Sequence, residues 1–402
     1  MIRLLQINIT ANWGSHGRIA EEIGQVAMSQ GWDSYIAYGR YANPSASKLI
    51  RIGSMWDERF HGLQSRLFDN HGLASKRATK DLLQQIERIN PDMIHLHNIH
   101  GYYLNYPLLF EYLSQKGTPV VWTLHDCWTM TGHCAYFTYA QCDKWKEGCR
   151  DCNFKSAYPK SVLFNRSERN FKLKQAAFCS VRNMTLVPVS AWLASIVPQS
   201  ILKSIPVKMI HNGIDLDVFK PVLPKDLGLP QEKKIVLGVS SVWEKRKGLE
   251  DFYKLRTVLD NNYQIVIVGL TEKQTGQLPE NIIGVSRTNS AEELAAYYSA
   301  ADVFVNPTYE DNFPTTNLEA LACGTPVLTY RTGGSPEAID EQTGLVVDTG
   351  DVNSLAEGIR KLCNDPNLEE RRRLCRQRAV ALFNKNDRYQ EYLDLYNSLL
   401  KQ

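Results

Sequence analysis

Short apolar runs alternate along the chain with longer stretches in which apolar residues recur at helical spacing. Runs bounded by turn residues are typical of strands in a parallel sheet, and amphipathic stretches between them are typical of crossover helices. The pattern therefore predicts an α/β protein. The predicted strands cover residues 3–8, 34–38, 93–96, 119–124 and 185–189, and then 234–239, 264–268, 282–285, 302–306, 326–329 and 345–347.

The two series of strands predict two doubly wound, Rossmann-like domains. A turn-rich stretch over residues 201–212 predicts the boundary. We expect a first domain over 1–205, a second over 206–380, and a C-terminal helix over 381–402 that packs back on the first domain. Because such sheets bind ligands beyond the carboxyl ends of their strands, two facing domains predict a ligand cleft between them.

Composition narrows the class of protein. The 402 residues are 43% hydrophobic and 22% charged, which is typical of a globular protein. The chain has 46 Lys and Arg residues and 43 Asp and Glu residues, and this excess of positive charge is too small to indicate nucleic-acid binding. No apolar run reaches the ~18 residues of a membrane span, and the first residues turn polar too soon for a signal peptide. We therefore expect a cytosolic protein.

The charge is divided unevenly along the chain. Residues 1–205 hold 23 basic and 15 acidic residues, a net +8, whereas residues 206–402 hold 23 and 28, a net −5. A basic first half suits an anionic surface such as lipid headgroups or a phosphorylated acceptor. Uneven scatter of solvated charges is the alternative.

The segment over residues 302–329 contains the first candidate ligand-binding residues. It is predicted to form a strand, a polar loop, a short helix beginning near Pro314 or Thr315, and a second strand. Free backbone N–H groups and the positive dipole end of that helix would bind a phosphate. The carboxylate of Glu319, one turn into the helix, can accept hydrogen bonds from sugar hydroxyls. Alternatively, the acids of this segment cap and solubilise a loop.

This segment resembles the signature of the retaining glycosyltransferases of family 4, in which seven residues separate two acids and Phe-Gly follows the first. Asp311 takes the first acidic position, where the family has Glu, and Glu319 takes the second, with Pro314 in place of Gly. Glu310, immediately upstream, is the alternative for the first acid. The resemblance implies the GT-B fold, with Glu319 binding the nucleotide ribose and Asp311 the hydroxyls of the transferred sugar. The residues whose backbone it places at the sugar or phosphate are Phe313, Pro314, Thr315 and Thr316.

A basic turn follows the predicted strand 234–239 and resembles the diphosphate-binding segment of the same family. Lys247 matches the family's Lys, whereas Ser241 occupies the position of its Arg. The resemblance implies that Lys247 binds the donor diphosphate. We expect Arg246 or Lys245 to supply the second charge, because a leaving nucleoside diphosphate needs neutralisation. An exposed basic turn without ligand is the alternative.

The first half contributes two further candidates. Gly17, in the loop after the first strand, resembles the family's Gly-Gly loop, where backbone approaches the donor. His125 follows the strand 119–124 at the position where the family places a His against the donor sugar, although a hydrogen-bonded structural His is the alternative. For His95, His97 and His100 we prefer the structural interpretation.

A cysteine-rich insert covers residues 127–152. Its two-residue gap between Cys149 and Cys152 is typical of zinc knuckles, and Cys134 and Cys142 would complete four ligands. Such a zinc would be structural, since four thiolates leave no open position for substrate. Packed reduced thiols and disulfides are the alternatives. The insert resembles a branch of family 4 that includes colanic-acid-type exopolysaccharide glycosyltransferases.

The resemblance spans essentially the whole chain. It implies an enzyme that needs no catalytic metal and moves a sugar, with retention of configuration, from a nucleoside diphosphate to a hydroxyl of a glycan. The basic first half favours a lipid-diphosphate-linked acceptor and peripheral contact with an anionic inner membrane. Exopolysaccharide, capsule, O-antigen or lipopolysaccharide biosynthesis is the expected setting. The alternatives are a sugar-nucleotide epimerase or hydrolase, and a non-catalytic partner that binds nucleotide sugar.

Overall fold

The computed structural model describes residues 1–223 and 227–401, so Gln402, the end of the predicted last helix, lies outside the described residues. The chain forms two compact units. The first comprises Met1–His211 together with the segment from Arg388 onward, and the second comprises Asn212–Asp387. The chain thus enters the second unit at Asn212, where we expected residue 206, and returns at Arg388, where we expected residue 381.

The first unit is a six-stranded parallel sheet with helices in its crossovers. Its strands are β1 (Arg3–Asn8), β2 (Asp33–Tyr38), β3 (Lys48–Arg51), β4 (Met93–Leu96), β5 (Val120–Leu124) and β6 (Met184–Pro188). Its helices are α1 (Gly14–Ser29), α2 (Met55–Phe68), α3 (Lys76–Ile89), α4 (Tyr106–Gln115), α5 (Ser167–Phe178) and α6 (Ala191–Ile196). The strand order β3-β2-β1-β4-β5-β6 is that of a doubly wound sheet.

The second unit repeats this architecture. Its strands are β7 (Lys234–Val239), β8 (Tyr263–Val268), β9 (Ile282–Val285), β10 (Val303–Asn306), β11 (Val327–Tyr330) and β12 (Gly344–Val347). Its helices are α7 (Leu249–Val258), α8 (Glu272–Thr275), α9 (Ala291–Ala300), α10 (Thr315–Ala322), α11 (Val352–Cys363) and α12 (Leu368–Phe383), and α13 (Lys385–Leu400) carries the chain back into the first unit. The strand order β12-β11-β10-β7-β8-β9 is the same doubly wound order read from the other edge.

Each unit has its own apolar core. In the first, strand residues such as Leu4 and Val121 pack with Ile23 of α1 and with Tyr392 and Leu393 of α13. The last helix thus completes the first core, because its buried tyrosines cover apolar strand surface. The residues that define the second core include Val236, Phe252, Leu255, Ile265, Val303, Leu328 and Ile359.

Every predicted strand is present, with its ends displaced by at most one residue. The sequence pattern missed β3. This strand pairs with β2 alone at the sheet edge, and three of its four residues are exposed. An exposed edge strand needs no apolar alternation, so the pattern carries no signal for it.

The strand order reverses between β1 and β4 and again between β7 and β10. At such switch points the neighbouring crossovers leave toward opposite faces, which opens a crevice at the carboxyl ends of the strands. The loops that follow these four strands are therefore where ligands are expected. Within residues 1–223 and 227–401, no helix is both long enough and apolar enough to cross a membrane.

Candidate functional site

Two loops meet at the carboxyl edge of the second sheet. The loop after β7 ends in the turn Lys245–Lys247, and the N–H of Tyr309, after β10, donates to the carbonyl of Arg246 at 2.8 Å. Gly248 has a φ of +76°, and a Cβ on it would lie 2.1 Å from the carbonyl oxygen of Pro307. Only glycine therefore allows the loops to approach this closely.

Lys247 and Asp311 form an ion pair across these loops. Lys247 Nζ lies 2.5 Å from Asp311 Oδ2, and the two side chains are 20% and 21% exposed. A Cβ on Gly333, whose φ is +51°, would lie 1.8 Å from the carbonyl oxygen of Asp311, so Gly333 allows a third loop to support this residue. The structure therefore brings together a cation and a carboxylate that the sequence predicts to bind adjacent parts of one donor.

Arg246 lies on the same turn as Lys247. Its Nε donates to Glu244 Oε2 at 3.0 Å, and its Nη1 lies 3.4 Å from the carbonyl oxygen of Glu310. Its side chain is 25% exposed. Ser241, at the position of the family Arg, is exposed. Arg246 thus shares the turn of Lys247, and its part in neutralising a diphosphate stays a prediction.

Helix α10 begins at Thr315, directly after Pro314, and no side chain among the described residues caps this end. A buried network fixes the helix instead. Asn317 Nδ2 donates to both the carbonyl and the Oγ of Ser335 at 3.1 Å, and Asn306 Nδ2 donates to Asn317 Oδ1 at 2.8 Å. The network therefore ties the first turn of α10 to the residues around it, and the amide groups of a helix N-terminus suit an anion.

Glu319 lies one turn into α10 and is half-buried. Its Oε2 accepts a hydrogen bond from the hydroxyl of Tyr298 at 2.9 Å. Burial, and then the neighbouring Glu319, raise the pKa of Tyr298 well above its usual value, so its hydroxyl stays protonated. Tyr298 thus orients the carboxylate that is predicted to bind the ribose.

The remaining predicted donor-binding residues flank the start of α10. Thr315 and Thr316 open the helix and are half-buried. Phe313 is 4% exposed and packs edge-on against Phe383, with ring centroids 5.9 Å apart. The side chain of Phe313 therefore anchors the loop in the core, which leaves the neighbouring backbone as the group that a ligand could contact.

His125 follows β5 in the first unit and belongs to a group of histidines. Its Nε2 lies 3.2 Å from His97 Nδ1, and its ring centroid lies 5.9 Å from that of His16. Burial, with a smaller effect of His97, lowers the pKa of His125 well below its usual value. Burial, with a smaller effect of His100, lowers the pKa of His16 to about 4. Both rings are therefore neutral near pH 7.

The other histidines differ in their roles. His95 is fully buried and bonds to Thr123 at 2.8 Å and to the hydroxyl of Tyr396 at 2.6 Å, which fits the structural interpretation. His100 bonds to Asp126 at 2.7 Å. His97, which is buried, contacts His125 directly at 3.2 Å, and the structural role that we preferred for it stays a prediction.

Gly17 lies within α1 and is buried. A Cβ on it would lie 2.6 Å from Thr10 Oγ1. The absence of a side chain at Gly17 thus allows the first turns of α1 to pack against the loop after β1. The structure gives this residue a packing role, and its predicted contact with the donor stays a prediction.

Residues of the cysteine-rich insert line a small, partly open cavity of about 20 Å³. All four cysteines that are predicted as zinc ligands line this cavity, namely Cys134, Cys142, Cys149 and Cys152. His133 also lines it; its Nδ1 lies 2.7 Å from Asp69 Oδ1, and its buried Nε2 has no hydrogen-bond partner among the residues that the structure describes. The thiols of these four cysteines are not joined in disulfides.

The arrangement of the donor atoms in this insert does not by itself form a metal site. Within the described ranges, no group of three or more His, Cys, Asp or Glu side chains is placed to hold a metal ion. Burial raises the pKa of Cys134 to about 12 and that of Cys149 to about 11, so these thiols stay protonated near pH 7. Zinc in the insert therefore stays a prediction.

Comparison with known proteins identifies the family. The model "Glycosyltransferase Family 4" matches residues 17–218, and the model "Glycosyl transferases group 1" matches residues 219–379. WcaC of Escherichia coli (strain K12), named as a colanic acid biosynthesis glycosyl transferase, is 22% identical over 99% of this chain and 100% of its own. A D-inositol 3-phosphate glycosyltransferase of Corynebacterium jeikeium is 32% identical, over 40% of this chain and 44% of its own.

Solved structures agree in fold. Sucrose-phosphate synthase from Thermosynechococcus elongatus superposes with a TM-score of 0.75 at 20% identity over 100% of both chains. HepE of Anabaena, in complex with UDP, superposes with a TM-score of 0.68 at 14% identity over 99% of this chain and 100% of its own. The protein belongs to glycosyltransferase family 4 and is a glycosyltransferase of the GT-B fold.

Proposed function

We propose that the protein transfers a sugar from a nucleoside diphosphate to a hydroxyl of a glycan, with retention of the anomeric configuration, in the biosynthesis of a bacterial surface polysaccharide. The ion pair of Lys247 and Asp311 is the observation that carries this proposal. Further support comes from HepE, which binds UDP and UDP-glucose, and from the name of WcaC.

The second unit supplies the groups that such a donor needs. Lys247 and Arg246 would neutralise the diphosphate, and backbone amide groups at the start of α10 would hydrogen-bond to it. Glu319, oriented by Tyr298, would accept hydrogen bonds from the ribose. Asp311 would exchange its ion pair for the hydroxyls of the transferred sugar once the diphosphate binds Lys247.

The reaction requires one bond to break and one to form at the anomeric carbon. The bond from this carbon to the diphosphate breaks, and its electron pair passes to the phosphate oxygen. The acceptor hydroxyl attacks from the same face, and its proton passes to the departing phosphate oxygen. The protein contributes position and leaving-group stabilisation, so cations beside the diphosphate carry most of the catalytic effect.

The test pairs two lysines of the second unit. With UDP-, GDP- and dTDP-sugars as donors, Lys247→Ala should lower kcat by about 10²–10³-fold, the usual cost of removing one transition-state charge partner. Lys273→Ala, at an exposed position of α8, is the control and should retain activity. Equal activity of Lys247→Ala and wild type would contradict the diphosphate assignment. Donor consumption without any acceptor would instead favour the epimerase or hydrolase.

We also propose peripheral contact with an anionic membrane, through a surface of α2. The residues on one face of α2 are exposed to solvent. Among the apolar ones, Trp56 is 71% exposed and Phe60 is 60% exposed. The members of this α2 surface are Met55, Trp56, Arg59, Phe60, Leu63 and Arg66. Aromatic and apolar residues flanked by arginines suit the interface of an anionic bilayer, where a lipid-linked acceptor would reside.

Vesicle binding tests this surface. Wild-type protein should sediment with vesicles that contain anionic phosphatidylglycerol and less with vesicles of phosphatidylcholine alone. Trp56→Ser combined with Phe60→Ser should reduce binding, whereas Val380→Ser, a partly exposed apolar residue of α12, should not. Equal sedimentation of all variants would contradict the assignment of the α2 surface.

A structural zinc in the insert is a separate proposal. The observations that support it are four cysteines around one cavity and the partnerless Nε2 of His133, whose Nδ1 is held by Asp69. A carboxylate-anchored histidine of this kind is a common zinc ligand. Binding would require thiol deprotonation and rotation of cysteine side chains. Metal analysis of protein purified in zinc-containing buffer should find one zinc per chain, and Cys149→Ser should lose it; protein without stoichiometric zinc would contradict the proposal.

A further inference from the structure

Asp251 of α7 is a buried carboxylate that lies outside the proposed donor contacts. It is 1% exposed. Its Oδ2 accepts hydrogen bonds from the hydroxyls of Tyr309 at 2.7 Å and Tyr330 at 3.0 Å, and its Oδ1 accepts from Lys254 Nζ at 2.9 Å. A carboxylate in an apolar core is destabilising unless it is paired and hydrogen-bonded, and these three donors meet both conditions. Asp251 thus fastens α7 to the two segments that carry the tyrosines.

The place of Asp251 in its helix does not account for this burial. Acidic residues in the first turn of a helix stabilise it through the helix dipole, and an exposed side chain is sufficient for that effect. Glu250, the neighbour of Asp251 in the first turn of α7, is exposed. The side chain of Asp251 is instead turned into the core, toward Tyr309 and Tyr330.

Tyr309 links Asp251 to the candidate donor site. It lies in the loop after β10, two residues before Asp311. Its backbone N–H donates to the carbonyl of Arg246 at 2.8 Å, and its hydroxyl donates to Asp251. Arg246 and Asp251 lie on either side of Lys247 in the sequence. The loop that carries Asp311 is therefore bonded to the chain both before and after this lysine.

Tyr330 provides a fixed surface beside this contact. It is the last residue of β11, is fully buried, and pairs with Val347 of β12. The ring of Tyr309 packs edge-on against it, with centroids 5.4 Å apart. Burial, and then Asp251, raise the pKa of Tyr330 well above its usual value, so its hydroxyl stays protonated and donates to the carboxylate. Asp251 and Tyr330 therefore hold the side chain of Tyr309 from two directions.

We propose that Asp251 is a positioning residue for the sugar-nucleotide donor and that it acts through Tyr309. By accepting from the hydroxyl of Tyr309, Asp251 fixes the loop that carries Asp311 relative to the turn that carries Lys247. Asp251 itself is buried, so its effect on the donor passes through this loop. The inference rests on the proposed function, in which Lys247 and Asp311 bind adjacent parts of the donor.

Tyr309→Phe tests the proposal by removing one hydroxyl. The ring can still pack against Tyr330, and Asp251 keeps its bonds to Tyr330 and Lys254, so the variant should fold. Calorimetric titration measures the Kd for whichever of UDP, GDP and dTDP the wild type binds most tightly. We expect this Kd to rise by about tenfold or more, the effect of losing one hydrogen bond to a charged group.

Tyr263→Phe is the matched control. Tyr263 is a buried residue of the same core at the start of β8, and its hydroxyl accepts from Asn364 Nδ2 at 3.0 Å. Both variants lose a hydroxyl and its hydrogen bond, so both should unfold at a lower temperature. Only Tyr309→Phe should bind the nucleotide more weakly. An unchanged Kd in Tyr309→Phe, or an equal change in both variants, would overturn the positioning role.

Replacements of Asp251 test the accepting oxygen directly. Asp251→Asn keeps an oxygen that can accept from Tyr309, and Lys254, whose side chain is 59% exposed, can turn to solvent. This variant should therefore keep most of the nucleotide affinity. Asp251→Ala has no acceptor and should weaken binding at least as much as Tyr309→Phe. An Asn variant that binds as weakly as the Ala variant would overturn the hydrogen bond as the cause.

Lys247→Ala in the same titration separates this inference from the proposed function. If Lys247→Ala weakens nucleotide binding and Tyr309→Phe and Asp251→Ala do not, the positioning role is wrong and the donor site stands. If Lys247→Ala binds the nucleotide as tightly as the wild type, the proposed donor site itself is wrong. Weaker binding in all three variants, with Tyr263→Phe unchanged, is the result that we expect.

Discussion

Replacement of Tyr298 by Phe isolates one hydrogen bond of the proposed ribose site. The ring of Tyr298 is fully buried and packs against Phe304, with centroids 5.3 Å apart. Phe keeps this packing, and the bond from Thr325 to the backbone carbonyl of residue 298 is unaffected. The substitution therefore removes only the hydroxyl that donates to Glu319 at 2.9 Å.

The size of the effect follows from the partner's charge. A hydrogen bond to a charged group contributes about 1.5–3 kcal/mol. If the whole contribution orients Glu319 for the ribose, the donor Kd rises about 10- to 150-fold. The free energy of unfolding should fall less, by about 1 kcal/mol, because Glu319 is half-buried and water can replace the lost donor.

Calorimetric titration with the best nucleoside diphosphate sugar, beside thermal unfolding, measures both quantities. Tyr297→Phe removes a hydroxyl from the adjacent position of α9 and serves as the control. We expect weaker donor binding in Tyr298→Phe alone. An unchanged donor Kd, or an equal change in both variants, would refute the role of Tyr298 in orienting Glu319.

Two further predictions concern stability. Gly248→Ala should lower the free energy of unfolding by at least about 1 kcal/mol and weaken donor binding, because the new Cβ would meet the carbonyl oxygen of Pro307. Gly276, which has a negative φ, leaves room for a Cβ, so Gly276→Ala is the control and should leave the free energy of unfolding unchanged in the same denaturation assay. Because burial lowers the pKa of His16 to about 4 and that of His125 well below its usual value, the unfolded chain binds more protons than the folded one below about pH 6.5. The midpoint of thermal unfolding should therefore fall as the pH is lowered from 6.5 toward 4, and a constant or rising midpoint would refute this.

The sequence predicts the sheets well because a buried parallel strand is a local feature. Each core strand is a short apolar run, so the sequence also predicts where the loops after β1, β4, β7 and β10 begin. The candidate residues Lys247, Asp311 and Glu319 were assigned their roles through the resemblance to family 4, whose motifs are short contiguous segments of the sequence.

What the sequence does not predict is the partner of each polar side chain. Lys247 and Asp311 are in contact although they lie 64 residues apart in the sequence, and His97 contacts Gln6 at a separation of 91 residues. No periodicity encodes such contacts, because they depend on which strands become neighbours. For this reason the contact between His97 and His125 is visible only in the folded chain.

The structure of the protein soaked with a nucleoside diphosphate is the most direct test of the proposed donor site. We expect the phosphates within hydrogen-bond distance of Lys247 Nζ and of the first amide groups of α10, with the ribose hydroxyls on Glu319. Binding should also break the ion pair between Lys247 and Asp311. A nucleotide bound elsewhere, with that ion pair intact, would contradict the assignment.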